Sequence, residues 1–294
     1  MRTRTERLRQ LLAEPGLLVL PGCHDAISAR VMERAGFPVA FMSGLAVSAA
    51  RLAAPDTGLI SFGEMLDQGR DICAAVSIPV IGDGDTGYGN AINVKRTVAG
   101  YAGAGFAAVM IEDQSLPKRC GFARGVEVVD RREAVARIKA AADARDEGAD
   151  ILILGRTDAA TIMGIDEGLW RARAYQDAGC DIVYVEGADT AADLEKVARA
   201  IALPKMYVTV DGVPEQKTTA RELDHLGFKL MLWAATLLNV SIRAMEEACD
   251  AMRAGGHPER IVSWPHLNRV AGLDDYYAEE ERYRTAAEGA RSGA

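Results

Sequence analysis

Short apolar runs rich in β-formers recur along the chain, separated by longer segments whose apolar positions return every three to four residues beside an Ala-rich or charged face. The first pattern predicts strands and the second amphipathic helices. Eight runs stand out: LLVLPG from Leu17, PVAFMSG from Pro38, PVIGDGD from Pro79, AAVMIED from Ala107, DILILGRTD from Asp150, DIVYVEG from Asp181, KMYVTV from Lys205 and KLMLWAA from Lys229. They are apolar almost throughout rather than alternating, as strands covered on both faces are. Repeated βα units predict a parallel sheet, and eight strands close one into a barrel. An open doubly wound sheet competes, but it would gather polar strand ends around one switch point. Here polar residues end nearly all eight runs, so the expected class is α/β, a (β/α)8 TIM-type barrel. In ERAGFP, AGAGFA, DEGAD and DAGCD a glycine supplies a left-handed helix cap before the next strand.

Two stretches break the rhythm. Gln114 to Asp130, QSLPKRCGFARGVEVVD, is longer than a usual βα loop and has the polar make-up of a lid. After about residue 258 the repeat gives way to a Pro-containing turn and a charged amphipathic helix, read as a C-terminal helical tail on a single barrel domain spanning 1–294. A 294-residue chain with 49% hydrophobic and 26% charged residues can bury a sizeable core, and no apolar run reaches membrane-spanning length. The first residues interleave Glu6 and Glu14 with basic groups and lack an apolar signal core, which predicts an initial helix and a cytoplasmic protein. A net charge of −8 argues against nucleic-acid binding, while small anionic substrates stay compatible with local Arg and Lys. Five cysteines without CxxC spacing speak against a zinc cluster or a disulfide framework.

The strongest chemical signal is the acidic set Asp56, Asp83, Asp85, Glu112 and Asp113. Four of its members stand at the ends of the third and fourth strands, where adjacent strands bring them together. In GDGDTGYG the two aspartates alternate with glycines, so both can face one way while the backbone stays open to a ligand. Carboxylates with only oxygen chemistry nearby suit a hard cation such as Mg2+, with Mn2+ an alternative; helix capping and pairing with Arg explain them equally well. Cys120 sits in PKRCG beside Lys118 and Arg119, whose charges favour a thiolate, although an inert loop thiol is the simpler reading. Arg156, in GRTDA at the end of the fifth strand, can grip a carboxylate in two parallel bonds or form a structural pair with Asp158. Glu186, ending the sixth strand, is a ligand holder or a helix-start acid. Ser43 and Gly44, after the second strand, can offer backbone amides to an anion. There is no GxSxG elbow, Walker loop or HExxH, and the four histidines form no ligand cluster.

Taken in order, SG after the second strand, PDTG, GDGDTGYG, IEDQ, KRCG, GRTDA and VEG resemble the isocitrate lyase and phosphoenolpyruvate mutase superfamily over most of the chain. PGCHDAISARVMERAGF and IEDQSLPKRCG look most like its 2-methylisocitrate and 2,3-dimethylmalate lyase branch. The resemblance implies a barrel with a helix swapped between subunits and a homotetramer built as a dimer of dimers. It implies that Asp83 binds Mg2+ directly while Asp56, Asp85 and Glu112 hold its waters. By the same likeness Ser43, the backbone of Gly44 and Leu45, and Arg156 grip the 2-oxo acid half, with Gly121, Phe122, Glu186 and Val208 completing the substrate pocket. Cys120 then protonates the departing carbanion and Lys118 stabilises charge.

The chain departs from that pattern at four places. Phe122 follows KRCG where the isocitrate and methylisocitrate lyases have His, Phe41 stands where Tyr is common, Leu45 replaces a Gly, and Val208 takes the place of an Asn. Each change makes the pocket less polar, and a buried carboxylate without partners costs several kcal/mol, roughly 1–3 per lost hydrogen bond. The expected substrate therefore has fewer charges or a bulkier apolar substituent than a tricarboxylate, such as a 2-alkylmalate. Hydrolysis or decarboxylation of oxaloacetate on the same scaffold, and a non-catalytic acid-binding protein, are the alternatives.

Overall fold

The computed structural model describes residues 2–121, 123–212 and 218–292. Eight strands form a closed barrel in chain order: β1 (Leu18–Cys23), β2 (Ala40–Met42), β3 (Val80–Asp83), β4 (Ala108–Glu112), β5 (Leu152–Thr157), β6 (Ile182–Val185), β7 (Lys205–Thr209) and β8 (Leu230–Trp233). Every neighbouring pair is parallel, and β8 closes on β1 with Leu18 opposite Leu230 and Leu20 opposite Leu232. Seven strands lie within the apolar runs and β1 passes its run by one residue, Cys23, because a strand covered inside by the barrel core and outside by helices is apolar on both faces.

The pleat divides those strand residues between two cores. Leu20, Ile81, Met110, Leu152, Leu154, Ile182, Met206 and Leu232 fill the barrel interior. Their neighbours Val80, Val109, Ile153, Val183 and Met231 face the surrounding helices. The initial helix, Arg4–Ala13, is held by a capping box at Thr3 and Glu6. Its Leu8, fully buried, packs with Leu11 and Leu12 against the interior core. Lys229, at the start of β8, donates to the carbonyl of Gly16 at 2.7 Å, and Thr5 Oγ1 donates to that of Asp150 at 2.9 Å. The helix thereby plugs the N-terminal end of the barrel and leaves the C-terminal ends of the strands for chemistry. The left-handed caps expected at the helix ends are present, as at Gly36 (φ 88°) and Gly105 (φ 94°).

The chain divides into two compact units, Met1–Asn239 and Val240–Ala294. The first contains the barrel. The second carries the helices Trp264–Ala271 and Leu273–Ser292 and exposes Met245, Met252, Ile261, Val262, Trp264 and Tyr276. Among the described residues no helix is long and apolar enough to cross a membrane, and no disulfide forms.

Candidate active site

The C-terminal ends of β2 to β8 surround a small cavity of about 50 Å³ roofed by the loop from Gln114. Ser43, Leu45, Asp56, Asp83, Glu112, Lys118, Cys120, Gly121, Arg156, Glu186 and Val208 all line it, joined by Phe41, Met110, Val210 and Leu232. A larger open groove of about 730 Å³ between the helices Ala191–Ala200 and Ala220–His225 contains none of these groups. Phe122 lies outside the described residues.

Close backbone approach sets up the acidic corner. Asp83 is the last residue of β3, and Gly84 follows it so tightly against β4 that a Cβ there would sit 2.7 Å from the Met110 carbonyl oxygen. Gly84 N–H donates to that carbonyl at 2.9 Å, and Glu112 N–H donates to the Asp85 carbonyl at the same distance. Asp85 adopts a left-handed φ of 48°, and its N–H returns to Asp83 Oδ1 at 3.1 Å. Gly44 N–H donates to Asp83 Oδ2 at 3.2 Å, so this amide is aimed at a carboxylate rather than at open space. Ser43 caps the helix Gly44–Leu52 through a 3.4 Å bond from Ala46 N–H.

The lid closes onto this corner. Its Lys118 ammonium, 3% exposed, stands 2.6 Å from Asp56 Oδ1 and 2.6 Å from Asp85 Oδ1. Cys120 N–H donates to the Asp56 carbonyl at 2.9 Å. Burial alone would lower the Lys118 pKa, but Asp85, Glu112, Asp56 and Asp83 raise it well above the usual lysine value. Burial raises Asp85 to about 6, with Lys118 opposing and Asp83 and Asp56 adding to the rise. Glu112 is likewise raised by burial against the pull of Arg156 and Lys118, and its Oε1 is buried without a hydrogen-bond partner.

On the opposite side Arg156 is held by Asp158 in two bonds, Nε to Oδ2 at 2.9 Å and Nη2 to Oδ1 at 2.7 Å. Glu186 Oε2 lies 3.2 Å from Nη2 and also accepts from the Tyr184 hydroxyl at 2.6 Å. The Arg156 Nη1 takes no part in these contacts. The GRTDA arginine thus forms the structural pair with Asp158, and it also lines the cavity.

One member of the expected acidic set is elsewhere. Asp113 follows Glu112 and so points to the opposite side of the pleat, where it accepts from Thr157 Oγ1 (2.6 Å), Tyr175 (2.7 Å), Asp158 N–H (2.9 Å) and Arg171 (3.0 Å). It is a buried structural hub rather than a cavity residue. Sequence reading also passed over Tyr184, whose place two residues before Glu186 puts both on one strand face, and Gln114, discussed below.

Among the described residues no three His, Cys, Asp or Glu side chains converge into a ready-made ligand cage. Among the described residues, six buried carboxylates, Asp56, Asp83, Asp85, Glu112, Asp158 and Glu186, nonetheless surround two embedded cations, Lys118 and Arg156. An all-oxygen donor set with negative charge in excess, plus the unpartnered Glu112 Oε1, fits a divalent cation that keeps most of its waters.

Comparison with known proteins agrees with this geometry. The phosphoenolpyruvate phosphomutase family model matches residues 8–253. The chain is 36% identical to 2,3-dimethylmalate lyase of Eubacterium barkeri over 95% of its own length and 98% of that protein. It superposes with a TM-score of 0.92 on oxaloacetate acetylhydrolase in complex with the inhibitor 3,3-difluorooxalacetate, at 32% identity and covering 96% of this chain and 97% of that one. On phosphonopyruvate hydrolase in complex with oxalate and Mg2+ the TM-score is 0.85, at 28% identity with 96% and 99% covered. A barrel whose strand ends carry this constellation, matched by the family model over most of its length, belongs to the phosphoenolpyruvate mutase and isocitrate lyase superfamily.

Proposed function

We propose that the chain is a Mg2+-dependent carbon-carbon lyase that cleaves a 2-hydroxy dicarboxylate, of 2-alkylmalate or methylisocitrate type, into a 2-oxo acid such as pyruvate and a carboxylic acid. The observation that carries this reading is the division of one cavity into two walls. Asp83, Glu112, Lys118, Cys120 and Arg156 form the polar wall; Phe41, Leu45, Met110, Val208, Val210 and Leu232 form the apolar one. The apolar wall suits an alkyl substituent and offers no partner to a further carboxylate.

Asp83 would hold the cation directly, and Asp56, Asp85 and Glu112 would hold its waters. Mn2+ can take the same place. When bound, the metal supplies Lewis-acid stabilisation of the developing oxyanion. Arg156, Ser43 and the amide of Leu45 would grip the carboxylate of the 2-oxo half, while the Gly44 amide, expected to join them, is instead held by Asp83. In a reverse aldol cleavage the 2-hydroxyl would give its proton to the Glu112 carboxylate, the bond from C2 to C3 breaks, and its electron pair is left on C3 beside a carboxylate. The Cys120 thiol gives C3 a proton, with Lys118 balancing charge and the closed lid excluding water. Gly121 lets the lid backbone approach Arg156 and Glu186: a Cβ there would come within 2.6 Å of Arg156 Nη2.

The exposed apolar residues of the second unit, Met245, Met252, Trp264 and Tyr276 among them, support assembly into a homotetramer with exchanged helices. A cytoplasmic setting agrees with five cysteines and no disulfide among the described residues.

A panel of 2-alkylmalates, 2-methylisocitrate, isocitrate and oxaloacetate, assayed for 2-oxo acid release through lactate dehydrogenase with the second product identified, tests the reading. Release from an alkylmalate that collapses in Cys120→Ser is expected. Turnover of oxaloacetate alone, indifferent to Cys120, would replace it with hydrolysis or decarboxylation of oxaloacetate. The small free volume favours that second reading, since it suits a short unbranched acid.

A further inference from the structure

Gln114 is 1% exposed and belongs to the neck of the lid, where Ser115 N–H donates to the Glu127 carbonyl at 2.8 Å and Val129 N–H to the Asp113 carbonyl at 2.9 Å. Its backbone is pinned from the helix Arg131–Asp146, whose buried Arg137 donates from Nη1 to the Gln114 carbonyl at 2.8 Å. With the main chain fixed, the carboxamide reaches in two directions. Nε2 donates to Asp158 Oδ1 at 3.0 Å, and Oε1 accepts from the Arg119 N–H at 2.9 Å.

Both partners belong to larger assemblies. Arg119 lies within the lid between Lys118 and Cys120, the two residues that carry it onto Asp56. Asp158 is the carboxylate that orients the Arg156 guanidinium. Only an amide of this length can accept from a backbone N–H at one end and donate to a carboxylate at the other. A carboxylate has no proton to donate, and a shorter amide cannot span both.

We propose that Gln114 is a positioning residue that couples the closed lid to the orientation of Arg156. When the lid lifts, Gln114 loses its Arg119 partner and the Asp158 pairing loses a buried, fixed donor; when Asp158 and Arg156 are set, Gln114 is held where it can receive the lid. Its importance for turnover rests on the lyase reading, whereas the coupling itself does not.

The test uses the full chain and needs no turnover. Gln114→Glu and Gln114→Asn are pulsed with iodoacetamide, and each cysteine is followed by peptide mass spectrometry. Cys120 reports the lid, exposed Cys249 the reagent, and buried Cys23, Cys73 and Cys180 the fold. Gln114→Glu replaces the donor to Asp158 with a second carboxylate, whose repulsion draws the side chain off the Arg119 N–H; Cys120 alkylation is expected to rise about tenfold relative to Cys249, with the three buried thiols as protected as in the parent. Gln114→Asn, which keeps the amide on a shorter arm, is expected to open the lid less and carries the same test if the Glu variant does not fold. In both variants oxalate, measured by calorimetry with Mg2+ present, is expected to bind several-fold more weakly because Arg156 is less well set. An unchanged Cys120 rate overturns the proposal, as does a rise shared by Cys23, Cys73 and Cys180, which would make Gln114 a residue of the fold. Loss of lyase activity with an unmoved Cys120 rate would refute the coupling and leave the lyase reading standing, whereas a mobile lid in a protein that cleaves nothing on the panel would do the reverse.

Discussion

Gly121→Ala tests whether the lid must lie as close to the Arg156 cluster as the structure places it. The backbone at Gly121 is not in the left-handed region, so alanine brings no conformational penalty of that kind. Space decides instead. The new Cβ would lie 2.6 Å from Arg156 Nη2 and 2.8 Å from Glu186 Oε2, where ordinary contact begins at 3.4 Å, an overlap of about 0.8 Å against the guanidinium. Neither neighbour can give easily: Asp158 fixes Arg156 in two bonds, and Tyr184 fixes Glu186 at 2.6 Å. Overpacking of this kind costs about 1–3 kcal/mol. Lifting the lid relieves it, so the population of the closed lid should fall by about 5- to 150-fold, at 1.36 kcal/mol per decade. Coupled assays of 2-oxo acid release should show kcat/KM reduced within that range, while the thermal midpoint stays near the parent's because the lid contributes little to the core. Activity within twofold of the parent would refute the claim that close lid approach is required.

Three further outcomes are expected. Asp113→Asn leaves the buried Arg171 short of its charge partner and should cost about 3 kcal/mol, softened by the Glu167 carboxylate 2.9 Å from the same guanidinium; a drop of roughly 5–10 °C in the thermal midpoint measures it. Dialysis against a chelator should abolish 2-oxo acid release, and Mg2+ or Mn2+ should restore it; full activity after exhaustive chelation would remove the cation from the scheme. Val208→Asn adds a hydrogen-bonding group to the apolar wall and should raise the kcat/KM ratio of methylisocitrate over a 2-alkylmalate about tenfold, read from paired rate measurements.

The barrel was legible because its strands are apolar on both faces and the polar residues sit at one end of each. The site was legible for the same reason: Asp83, Glu112, Arg156 and Glu186 stand at or just beyond strand ends, and the barrel brings such ends together. Unbroken apolar runs reveal the strands without sorting their last residues, which takes the pleat's period of two. Applied there, it separates Glu112 from Asp113, which instead ties Arg171 and Tyr175 to the sheet. It also pairs Tyr184 with Glu186, and Val208 with Val210. Gln114 was out of reach of such reasoning, since its significance lies in which atoms its amide meets across the fold. The plugging role of the first helix rests likewise on tertiary contacts, although Leu8, Leu11 and Leu12 mark its buried face.

The apolar wall has a further consequence for how this site can change. Phe41, Met110, Val208 and Leu232 belong to the same interior layer as Ile81 and Leu154, so the floor of the cavity is the top of the barrel core. Swapping one of these residues for another of similar volume alters the pocket while most of the core's contacts survive, at a cost usually under about 1.5 kcal/mol. The polar wall has no such freedom. Asp56, Asp85 and Glu112 depend on Lys118 and Arg156 in a buried setting where negative charge is in excess, and removing either cation leaves carboxylates charged and unmatched, typically at about 3–5 kcal/mol. Substrate choice on this scaffold is therefore expected to drift through the apolar layer while the carboxylates, the lysine and the arginine stay fixed.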